Sequence, residues 1–139
     1  MSSHTPRRRT RRGAVSFSDL LFGAVLLSGL YVAYLVIPPF MESLEIKEAL
    51  ANSLFMWNDK GQDRAEALYE HEIYKRDLNP DLVHQCTWYE LRMQKERYVE
   101  CAWEVPLYTP WGSLAHTLEF YVHRGIDRNG QVFDVEYYE

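Results

Sequence analysis

From Leu20 to Ile37 the chain runs for 18 residues without a charge, as LLFGAVLLSGLYVAYLVI. A helix of roughly 20 residues satisfies its backbone groups internally and crosses the roughly 30 Å hydrocarbon core of a bilayer. The run matches that length, and Phe40 and Met41 carry its apolar character past Pro38-Pro39. Tyr31 and Tyr34 lie toward its C-terminal end, near where interfacial aromatics are expected. The expectation is a transmembrane helix over residues 20–41, a basic stub over 1–19 and a folded domain over 42–139. Three other readings compete with it. A cleaved secretory signal has an apolar region of only about 7–15 residues and ends in a small-x-small site. Ala33, with Tyr31 two residues before it, makes a poor one. A core helix that is apolar on every face is hard to bury in a chain of 139 residues. Residues 1–18, with Arg and Ser and no acid, loosely fit a mitochondrial targeting segment.

Charge sets the expected orientation. Residues 1–19 hold Arg7, Arg8, Arg9, Arg11 and Arg12 against Asp19 alone, a balance of +4. The other 10 basic and 19 acidic side chains leave residues 20–139 at −9. Arginine resists translocation, so the five arginines act as topology determinants that keep the N-terminus in the cytoplasm and send residues 42–139 outside. The same run could bind nucleic acid. Beside a span it is better explained by topology and by contact with anionic lipid head groups.

The remainder is one domain's worth of chain. With 47% hydrophobic and 25% charged residues, wholesale disorder is excluded. Pro38 and Pro39 are expected to end or kink the span. A polar helix should follow, because Ile46, Leu50, Leu54 and Trp57 recur at helical spacing, and Asn58-Asp59-Lys60-Gly61 should break it. Asp63-Arg64-Ala65-Glu66 resembles a capping box with Asp63 at the cap, and Ala65, Leu68, Tyr69 and Ile73 make a second stripe. From Leu82 the period changes to two. Val99, Cys101, Trp103, Val105 and Leu107 alternate with polar or small neighbours. Leu114, Leu118, Phe120 and Val122 share one parity, as do Phe133, Val135 and Tyr137. Turns are expected at Gln94-Lys95-Glu96, at Thr109-Pro110-Trp111-Gly112 and at Asn129-Gly130. The fold class is α+β: an anchor helix, one or two further helices, and a four-stranded antiparallel meander with helices on one face.

Several segments also carry a resemblance. The basic stub, the span ending in Ile37-Pro38-Pro39-Phe40, the run Glu42 to Leu50, and the later runs Glu104 to Tyr108 and Ser113 to Phe120 resemble a family of small, single-span, pilin-like inner-membrane proteins of Gram-negative bacteria. That family is a domain of unknown function. The resemblance implies an envelope protein with a small extracytoplasmic α+β domain, and it implies no activity. Type IV prepilins carry a glutamate as the fifth residue after the cleaved glycine. Here Asp19 is the sixth residue after Gly13, and Ala14 stands where pilins usually have Phe. These departures argue against processing by a prepilin peptidase and reduce the likeness to pilins to topology.

Cys86 and Cys101 are the candidate disulfide, since two thiols outside the cytoplasm can pair. The hairpin register decides it. If Cys86 faces Cys101, then Trp88 faces Val99 and Glu90 faces Arg97. In the rival register Tyr89 faces Cys101, Leu91 faces Val99, and Cys86 points away. The turn length permits both. No Cys-x-x-Cys is present, so a catalytic cysteine is not expected. His71, His84, His116 and His123 lack metal-ligand spacing, and His4 lies in the stub. Glu70, Glu72, Asp77 and Asp81 read as a solvated surface rather than a catalytic carboxylate pair. No nucleophile elbow, phosphate loop or dinucleotide fingerprint occurs. The ten tyrosines mark either a binding surface or good strand formers. The reading that results is a non-enzymatic, membrane-anchored envelope protein. Its partners would be the lipid bilayer and another membrane or envelope protein, with no cofactor, metal, nucleic acid or small-molecule ligand. The alternatives are a membrane-tethered enzyme and an accessory subunit of a larger membrane complex.

Overall fold

The computed structural model describes residues 13–136; the five arginines, His4 and Tyr137-Tyr138 lie outside the described residues. Helix α1 (Phe17–Lys60) begins on a reciprocal cap. The Asp19 amide donates to Ser16 Oγ (3.2 Å), and the Ser16 amide donates to Asp19 Oδ2 (3.1 Å). Ser16 is therefore the cap and Asp19 its first-turn acid, which meets the positive end of the helix dipole. This 44-residue helix contains the apolar run, and it is long and apolar enough to cross a membrane. None of its most apolar 18-residue window is buried in the protein. Leu20 (63%), Phe22 (70%) and Leu27 (68%) are exposed, which removes the buried-core-helix reading.

Pro38 and Pro39 do not end the helix. A proline lacks only its own N–H, so the carbonyls of Tyr34 and Leu35 lose their usual partners while the turns on either side remain bonded. The chain divides into two units at this point, one ending at Leu35 and one beginning at Val36. The second unit takes in the end of the apolar run: Pro39 is buried, and the Phe40 ring packs edge-on against Phe120 at 5.4 Å.

In that second unit, Ile46, Leu50, Leu54 and Trp57 are buried as a stripe along α1. Gly61 at φ 98° then reverses the chain, a conformation that favours glycine. It also caps α2 (Gln62–Lys75), so the expected Asp63 cap is not used; Asp63 lies in the first turn. Ala65, Tyr69 and Ile73 face the core. A short 3-10 turn (Pro80–His84), capped by Asn79, leads into the sheet.

Strands β1 (Cys86–Leu91), β2 (Glu96–Tyr108), β3 (Leu114–Ile126) and β4 (Val132–Asp134) form one antiparallel meander in sequence order. The first turn covers Arg92 to Lys95, with Glu96 already in the strand. At the second, Gly112 (φ 85°) closes a hairpin with its amide on the Thr109 carbonyl (2.9 Å). At the third, Asp127 Oδ1 accepts from the amides of Asn129 and Gln131, and Gly130 supplies the positive φ. Val99, Cys101, Trp103, Val122 and Ile126 pack beneath the helices into one core with Leu50, Leu54 and Tyr69. The architecture is α+β, with a helical layer on one face of a four-stranded sheet.

Candidate functional site

Register places every side chain of the sheet. Cys86 faces Cys101, Trp88 faces Val99 and Glu90 faces Arg97. The two cysteines are bonded, with their Cα atoms 4.1 Å apart. The bridge lies on the helix side, where Cys101 is buried and the Tyr69 hydroxyl reaches to 3.5 Å of Cys86 Sγ and donates to the Leu82 carbonyl (3.5 Å). Burial holds the Tyr69 phenol neutral well above the usual tyrosine range.

This register sends the tyrosines to the opposite face. Tyr89 and Tyr98, directly opposed on neighbouring strands, stack with centroids 5.2 Å apart. Tyr98 lies over Gly125 and meets the edge of Phe133 at 5.8 Å. A β-carbon on Gly125 would come within 2.7 Å of Phe133 and 2.8 Å of Tyr98, so glycine is what lets the two rings meet. Tyr89 Oη and His123 Nε2 share a 2.6 Å hydrogen bond, and this cover leaves His123 buried. The hydroxyls of Tyr98 and Tyr121 donate to Glu96 (2.5 Å) and Glu100 (2.6 Å). Burial first, then the Glu96 carboxylate, pushes the Tyr98 phenol up to about 12.

The same face carries Glu104 opposite Glu119. Arg97 and Arg124 point the other way. Arg97 donates to Asn58 (2.8 Å), and Arg124 donates to the Lys47 carbonyl (2.8 Å) and pairs with Asp134 (2.7 Å). Among the described residues, the outer sheet face thus joins rigid aromatic rings to four glutamates with no lysine or arginine at a strand position. Such a surface suits a cationic or amphipathic protein partner. Arg124 shares the inward strand parity of Phe120 and Val122; what the sequence did not show are its partners on α1 and β4, which are far away along the chain.

Of the remaining candidates, Glu70 and His84 share one open groove. Asp63, Glu66, Glu70 and His84 line this groove of about 410 Å³ beside Cys86, and all four are exposed. Glu72 is instead drawn into an ion pair with Arg76 (3.0 Å), which also reaches Glu48 (3.2 Å) and so ties α2 to α1. His71 and His116 are exposed. Among the described residues no three His, Cys, Asp or Glu side chains are grouped to hold a metal ion. No family model, curated protein or solved structure matches the chain.

Proposed function

We propose that this is a single-pass, membrane-anchored envelope protein whose extracytoplasmic α+β domain is a non-enzymatic interaction module. The observation that carries the reading is the unburied apolar helix that runs directly into the folded domain. Two independent features favour the same orientation. The arginines at positions 7, 8, 9, 11 and 12 hold the N-terminus in the cytoplasm. The Cys86–Cys101 bridge belongs to an oxidising compartment, as expected for a domain beyond an inner membrane. The resemblance to small pilin-like inner-membrane proteins supports this topology. The acidic aromatic sheet face is the surface we assign to a membrane or envelope protein partner.

Protease added to sealed, right-side-out vesicles tests the topology: the C-terminal domain should be digested and the chain should resist carbonate extraction. A protected domain or a washed-off chain refutes it. Gentle crosslinking in detergent tests the interaction. The partner should co-purify with the wild type and be lost from Glu100→Lys with Glu104→Lys. Recovery of the wild type alone, as a monomer, counts against the module.

A further inference from the structure

A quarter of this chain is charged, yet no Asp, Glu, Lys or Arg occurs between Glu104 and Glu119. The 14 residues between them, Val105 to Leu118, form the far end of the β2–β3 hairpin and its turn. Glu104 and Glu119 face each other across the strands and mark where the charge stops. Beyond them Tyr108 (52%), Trp111 (81%) and Leu114 (60%) are exposed. An uncharged tip with exposed tryptophan, tyrosine and leucine is a poor surface for water and a good one for the head-group layer of a bilayer, where amphipathic rings concentrate.

The fold of the second unit aims this tip. Contacts between its part of α1 and the sheet run in one order: Asn58 with Arg97, Lys47 with Arg124, Phe40 with Phe120. Moving toward the N-terminal end of that helical segment therefore means moving along β3 toward the hairpin turn. Phe40 belongs to the last apolar residues of the proposed span, and Phe120 lies level with it. From Phe120 the strand continues six residues to Leu114, so the hairpin turn lies toward the end of this unit at which the chain enters it at Val36. We infer that the uncharged hairpin end rests in the interfacial layer of the same bilayer that α1 crosses, with Trp111 and Leu114 against lipid. The inference rests on the membrane-anchor reading and adds a second lipid contact to it.

The test uses the full chain in phosphatidylcholine vesicles, with and without bromine on the acyl chains near the head group, and reads tryptophan emission. Trp57 and Trp103 are buried, and Trp88 packs against Trp57 and Tyr69, so Trp111 is the indole open to quenching. The wild type should lose the Trp111 share of its emission in bromolipid, and Trp111→Phe should lose almost none. Should that variant misfold by near-ultraviolet circular dichroism, Trp111→Tyr takes its place. Equal quenching of wild type and variant overturns the inference. So does an unquenched wild type that still resists carbonate, which leaves the anchor standing and refutes the hairpin contact alone. An unquenched wild type whose tips crosslink between copies overturns it in favour of a second chain. Release by carbonate refutes the anchor and this inference together.

Discussion

At the residue scale, single groups hold positions that small changes disturb. The Cys86–Cys101 bridge joins residues 15 apart in sequence. A closed loop of that size restricts the unfolded chain enough to contribute about 3 kcal/mol. Replacing both cysteines by serine should therefore lower the unfolding free energy by about 3 kcal/mol, read from urea melts as midpoint times slope. The wild type should gain two alkyl adducts by mass only after reduction. Gly125→Ala forces a β-carbon into Tyr98 and Phe133, whose rings are held by their own neighbours. It should cost about 1–3 kcal/mol by overpacking, read as a lower urea midpoint at unchanged slope. Tyr98 and Tyr69 both have phenols raised in the folded state above the ordinary value of 10.0. Folding favours their neutral forms, so this contribution is complete below pH 10 and is lost as pH rises toward the Tyr98 value of about 12. An alkaline titration followed by phenolate absorbance should show two tyrosines lagging behind the others. Simultaneous ionisation of all of them would contradict the buried placement.

At the scale of elements, the ties between helix and sheet decide whether the layers hold. Arg124 is the clearest of these, because its half-buried guanidinium joins a helix carbonyl at Lys47 to Asp134 on the last strand. Arg124→Met keeps the length and removes the charge. It leaves Asp134, which is largely exposed, free to hydrate, so the loss should be about 1–3 kcal/mol rather than unfolding. Thermal denaturation of the disulfide-intact protein measures it. The helix stripe of Ile46, Leu50, Leu54 and Trp57 and the inward set of β2 were legible in the sequence, since apolar periodicity reports directly which face is buried. The cap of α2 was not. Asp63 has the right chemistry, but Gly61 reverses the chain before it, so Asp63 already lies inside the helix.

For the molecule, the division at Leu35/Val36 has a direct consequence. Residues 36–139 contain the whole described core, the bridge and all four strands. A fragment beginning at Val36 should therefore fold alone, with the near-ultraviolet spectrum of the full chain and one cooperative transition. A fragment without fixed aromatic signals would show that the domain depends on the residues before Val36.

The amino-acid order by itself determined the long apolar helix, the α+β class, the four strands and the turns at Gly112 and Gly130. Each of these depends on neighbours within one element or one turn, and local periodicity or a positive φ is enough to specify it. Four things were decided only by tertiary packing. The register that joins Cys86 to Cys101 depends on which face of β1 meets the helices, and the turn length permitted both answers. Helix α1 passes through Pro38-Pro39 in the folded chain, where the domain buries Pro39 and seats Phe40 on Phe120. The acidic aromatic face and the direction of the uncharged hairpin end follow from that same register and that same helix contact. Both join residues far apart in sequence, and such pairings leave no periodic trace along the chain.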